Sequence, residues 1–64
     1  MSDEWIIPNS TRGYPDHRVS FTAERELPVR VSIDGHPAHS LAPAEARAIA
    51  TALTTAASLA EGKH

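Results

Sequence analysis

From His17 the chain alternates. Val19, Phe21 and Ala23 share one parity against Arg18, Ser20 and Thr22, and Val29, Val31 and Ile33 alternate with Arg30, Ser32 and Asp34. A period of two with β-branched residues predicts two half-buried strands, each with one apolar and one wet face. The intervening Glu24-Arg25-Glu26-Leu27-Pro28 makes the first reversal, with Pro28 at a strand start, where a missing amide does least harm. Asp34-Gly35 is a hairpin signal, because glycine accepts the positive φ that tight turns demand. A third short strand, about 37–41, then runs back antiparallel, and Pro37 confines it to an edge. Two registers stay open: a two-residue loop puts His36 and Ala38 on the face of Val31 and Ile33, and a bulged three-residue loop puts His39 and Leu41 there.

The period changes at Pro43. Pro43 suits the first helical position, where its lost amide would have been unsatisfied anyway, and Glu45 favours the positive helix end. Ala42 at the N-cap offers no acceptor to the first turn, and Gly62 is a natural C-terminal cap. The spacing predicts a helix from Pro43 to Ala60.

At about 100° per residue, Ala46, Ile49, Ala50, Leu53, Ala57 and Ala60 line one stripe, the partner for the apolar strand faces. Ala48, Ala52 and Leu59, with Ala56 between, carry the apolar surface well round one flank and leave only a narrow polar strip of Arg47, Thr51, Thr54, Ser58 and Glu61. That arc is wider than the roughly 100° of an ordinary surface helix. No second helix in the chain covers it, so the flank, with Ala48, Ala52, Thr55 and Leu59, is the expected self-association interface of a homodimer.

Residues 1–16 read as an irregular arm, punctuated by Pro8, Gly13 and Pro15. Within it Trp5, Ile6 and Ile7 form an apolar cluster with two destinations: the edge of their own domain, or docking on a partner protein. Residues 17–64 form a single domain. The expected fold is α+β, a two- or three-stranded antiparallel sheet packed on one C-terminal α-helix, with the irregular N-terminal arm ahead of it.

Composition sharpens the case for association. A 64-residue domain buries only about 60% of the surface of its unfolded chain, and its core rarely supplies more than roughly 3–5 kcal/mol. With no cysteine, disulfides and thiolate zinc sites are both excluded, which leaves a second subunit as the leading source of extra stability. No apolar run approaches the roughly 20 residues of a membrane span, and the acidic start Met1-Ser2-Asp3-Glu4-Trp5 is unlike a signal peptide, so no membrane contact and a cytoplasmic location are expected.

The formal charge of −2 argues against nucleic acid as the main partner, since duplex affinity comes largely from basic side chains on phosphates. The basic residues are scattered. Arg18 and Arg30, on the wet faces of neighbouring strands, are the pair that a dimer could gather into a nucleic-acid contact, and this is the alternative to protein interaction.

Candidate chemistry is sparse. His36 and His39 stand beside Asp34, with His17 and His64 elsewhere, but in a turn and an extended segment that spacing points side chains apart, whereas zinc needs three or four converging ligands. Asp16, His17 and Ser20, or Asp34, His36 and Ser40, make a triad only on paper. No nucleophile elbow is visible, and three glycines are too few for the usual phosphate loops. No enzymatic activity, cofactor or metal is expected.

The segment from Val29 to Leu53 resembles small domains of actinobacteria and their phages, in which an Asp-Gly turn and a nearby proline lead into an alanine-leucine helix. Asp34, Gly35, Pro37, Leu41, Pro43, Glu45, Ala46 and Leu53 carry the likeness. Frequent alanine, and arginine in place of lysine, fit a GC-rich genome. The resemblance implies a small accessory or regulatory protein and carries no catalytic residue across.

Overall fold

The computed structural model describes residues 2–62. Four strands, β1 (Ser2–Ile7), β2 (His17–Thr22), β3 (Val29–Ser32) and β4 (His39–Leu41), form an antiparallel meander in chain order, and one helix, α1 (Pro43–Glu61), follows. This is the expected α+β architecture with one strand more. The irregular arm is confined to the segment after Ile7, because residues 2–7 pair with β2 along their length, Trp5 opposite Val19 and Ile7 opposite His17. Three consecutive apolar residues hide the alternation of β1, although an aromatic followed by two isoleucines has high strand propensity and Pro8 holds Ile7 extended.

The β2–β3 reversal closes with the Thr22 N–H donating to Pro28 O at 3.0 Å. The β3–β4 connection holds a tight turn in which Asp34 (φ 58°) and Gly35 (φ 77°) are both left-handed and the His36 N–H donates to Ile33 O at 3.0 Å, the geometry of a type I′ turn. The two strands do not pair directly from that turn. Pro37 lacks an amide, and pairing resumes with Val31 opposite His39 and Val29 opposite Leu41, so of the two open registers the one with His39 and Leu41 on the apolar face holds.

Cross-strand partners share a face. Trp5, Ile7, Val19, Phe21, Val29, Val31 and Leu41 therefore form one apolar side of the sheet, while Glu4, Arg18, Ser20, Arg30, Ser32 and Ser40 form the other. On the polar side Arg18 donates to Glu4 at 3.3 Å, a pair about half exposed and of small energetic value.

α1 starts as its sequence predicts, with Pro43 at its first position, Ala42 extended and no side-chain cap, and the Ala46 N–H donating to Ala42 O at 2.9 Å. Its end differs in detail. Gly62 has φ −81°, not left-handed, and simply donates its N–H to Ser58 O at 3.0 Å, so the helix runs one residue further, to Glu61. Leaving the sheet, α1 gives the molecule extents of 44 × 29 × 17 Å and a radius of gyration of 13.4 Å. A compact chain of this length has about 11 Å.

Candidate functional site

The apolar side of the sheet and the first half of α1 face one another across an open cleft. Its inner part, about 480 Å³, is lined by Val19, Val29 and Val31 from the sheet and by Ala46, Ile49 and Leu53 from the helix. A second lobe of about 570 Å³ lies toward β4 and shares Val31, Ile33, Leu41 and Ile49 with the first. His36, His39, Ser40 and Glu45 line that outer lobe, while His17 and Arg47 stand at the inner one. Small-molecule sites of comparable volume are enclosed and place a few polar groups to orient the ligand. The inner lobe is open and, apart from His17 and Arg47, aliphatic, which suits another apolar polypeptide surface better.

The cleft is only partly shielded from water: Val19, Val29, Val31, Leu41 and Ala46 are half-buried. Ile49 is 43% and Leu53 65% exposed, and among the described residues no side chain reaches the burial of a core position. Sheet and helix each present the face that the other could cover, yet the gap stays open. The helix departs from the short edge strand β4 after one intervening residue, Ala42, so its direction is set at that junction and its far half projects beyond the sheet.

The residues singled out from the sequence separate into groups. Ala48, Ala52, Thr55 and Leu59 lie exposed on α1, away from the stripe that lines the cleft, and Leu59 is 62% exposed. Trp5 and Ile7 point to the cleft side of the sheet, with Ile7 lining its inner lobe, whereas Ile6, opposite Arg18, lies on the polar side. That apolar trio is thus split by the strand pleat. Arg18 and Arg30 do share the polar face, opposite Ser32 and Ser20, one diagonal step apart across β2 and β3. Arg30 Nε is buried with no hydrogen-bond partner among the described residues.

The histidines do not converge. His17 Nδ1 accepts the Asp34 N–H at 2.9 Å, a backbone contact and not a carboxylate pair, while His36 and His39 are exposed. His64 lies outside the described residues. Among the described residues no group of three or more His, Cys, Asp or Glu gathers as a metal site would. Asp16 is engaged elsewhere, its Oδ1 accepting the Asn9 N–H at 3.4 Å.

One cluster had no clear signal in the sequence. Asn9 donates through Nδ2 to Asp34 Oδ1 at 2.6 Å and to Pro15 O at 3.0 Å, and its Oδ1 accepts the Thr11 N–H at 2.8 Å. With the His17 contact, this fastens the 8–16 connection to the β3–β4 turn at the end of the sheet. Asparagine in a polar turn hints at the local bond to Thr11. Nothing local points to Asp34, 25 residues on.

No family model, curated protein or solved structure matches this chain. Among the described residues no helix is long and apolar enough to cross a membrane.

Proposed function

We propose that this chain is a small protein-interaction module that works as a homodimer, its hydrophobic core assembled between two copies. The observation that carries the reading is the absence, among the described residues, of any buried side chain despite an amphipathic sheet and a broadly apolar helix.

Area gives the reading a scale. The chain exposes 5312 Å². A folded monomer of its mass, 6.9 kDa, exposes about 4,000 Å². The excess of about 1,300 Å² per copy corresponds to a total interface of about 2,600 Å², within the roughly 2,000–5,000 Å² of obligate homodimers. The interaction surface would include the flank of Ala48, Ala52, Thr55 and Leu59. Trp5 and Ile6 on the edge strand β1 would remain for another protein, with strand addition as the mode of capture. An accessory or regulatory role, acting by binding, fits such a surface.

Sedimentation equilibrium tests this. The expected mass is twice that of the chain, with a thermal midpoint that rises with protein concentration, because dissociation and unfolding are then linked. A folded single-chain species at every concentration would overturn the reading.

The shared face of Arg18 and Arg30 favours a second reading, in which the dimer binds nucleic acid. Glu4 already engages Arg18, and the chain is net acidic, so the available positive charge is small. Fluorescence anisotropy with duplex DNA at low salt decides: binding that falls steeply with added salt supports this reading, and no binding removes it.

A further inference from the structure

We infer that the cleft between sheet and helix is the seat of α1 from a second copy, so that each helix lies between the partner's sheet and the partner's helix. The inference rests on the homodimer reading above and names the contact that makes it.

The cleft has two opposed and mainly apolar walls, the valine-rich sheet face with His17 at its end on one side and the Ala46, Ile49, Ala50 and Leu53 stripe of α1, with Arg47 beside it, on the other. Whatever occupies it must be apolar on two sides at once. An ordinary amphipathic helix has one apolar stripe about 100° wide and would leave a polar side against one wall. α1 itself meets the requirement. At about 100° per residue its flank of Ala48, Ala52 and Leu59 centres about 220° round from Ala46 and about 100° from the Ile49 and Leu53 side, with the polar strip of Arg47, Thr51, Thr54 and Ser58 confined to the remaining side.

A two-fold axis then completes the arrangement, because an isologous contact uses the same patches twice. Each α1 enters the other copy's cleft, turns its Ile49 and Leu53 side to the partner's helix, and lays its alanine flank on the partner's Val19 and Val31. The resulting order is sheet, helix, helix, sheet. Alanine on the sheet-facing side permits close approach to a β-branched surface. Thr51, Thr54 and Ser58 stay at the water-exposed rim, where Thr54 Oγ1 already donates to Ala50 O at 2.9 Å. The breadth of the apolar arc, excessive for a helix resting on its own sheet, is what a helix gripped from both sides requires.

The occupant is tested on the unaltered chain by isotope-filtered NMR on an equimolar mixture of labelled and unlabelled protein, together with sedimentation. The expected result is a dimer with intermolecular cross-peaks from the Val19 and Val31 methyls to the Ala48, Ala52 and Leu59 methyls, and between Ile49 and Leu53 of the two copies. A dimer whose intermolecular peaks run only between Val19 and Val31 of facing sheets, or only between the two alanine flanks, overturns this seating and leaves the homodimer standing. A folded monomer overturns both.

Discussion

Nδ1 of His17 accepts the backbone N–H of Asp34 at 2.9 Å, joining the first residue of β2 to the turn that follows β3. The bond requires that nitrogen to be unprotonated, because only a ring nitrogen without hydrogen accepts. Asn9 Nδ2 reaches the side chain of the same Asp34 at 2.6 Å, so one turn residue is held through both backbone and side chain. This end of the sheet, where Ile7, His17 and Ile33 line the cleft, is therefore built by non-local polar contacts and not by a core.

Replacing His17→Leu keeps bulk at this corner but leaves the Asp34 N–H without its acceptor. A loss of about 1–2 kcal/mol in unfolding free energy is expected, the usual cost of orphaning a part-buried donor. Urea unfolding at fixed protein concentration measures it, and an unchanged midpoint would mean that water replaces the imidazole at no cost.

Two glycines with positive φ give a matched comparison. At Gly35 an added Cβ would stand 2.7 Å from Pro15 Cγ and 2.9 Å from its Cβ, whereas at Gly13 it would meet nothing within 4 Å. Gly13→Ala should cost about 1–2 kcal/mol from the left-handed backbone alone. Gly35→Ala adds overpacking, for a total of about 3 kcal/mol. The unfolding midpoints of the two variants should differ in that order.

Ala52→Glu places a charge in the alanine flank, and Thr51→Glu places the same charge on the polar strip. The first should yield monomers with a large loss of cooperative unfolding, since an unpaired buried charge costs several kcal/mol. The second should leave the sedimentation coefficient unchanged. Equal behaviour of the two variants would remove the flank from the interface.

Trp5 lies on an edge strand, opposite Val19, and is 55% exposed. Trp5→Ala should cost no more than about 1 kcal/mol, the scale of one cross-strand pair. As the only tryptophan, it also reports its own surroundings. Its emission should stay that of a wetted indole in the dimer. A stability loss of several kcal/mol would instead make Trp5 a core residue of the assembly.

Much of the architecture was legible from short-range pattern. Alternation marked β2 and β3, Asp34-Gly35 marked a turn that proves to be type I′, and Pro43 with Glu45 marked the helix start. β1 was not legible. Its run of Trp5, Ile6 and Ile7 resembles an apolar cluster in an arm, and its strand character is fixed by pairing with residues ten or more positions away. The site shows the same division: the wide apolar arc of α1 was readable from its 100° spacing, but the cleft opposite it was not.

Which side chains share a face is a matter of period, two for strands and 3.6 for the helix, and period is written into the order of residues. Where those faces stand relative to one another is not. The gap between sheet and α1 depends on the backbone direction at Ala42, and the closed corner at Asp34 depends on His17 and Asn9, far removed along the chain. Local pattern was enough to make two apolar faces and a surplus of helical surface. Only the assembled backbone left those faces apart, because one short sheet and one projecting helix in a single copy enclose no volume that excludes water.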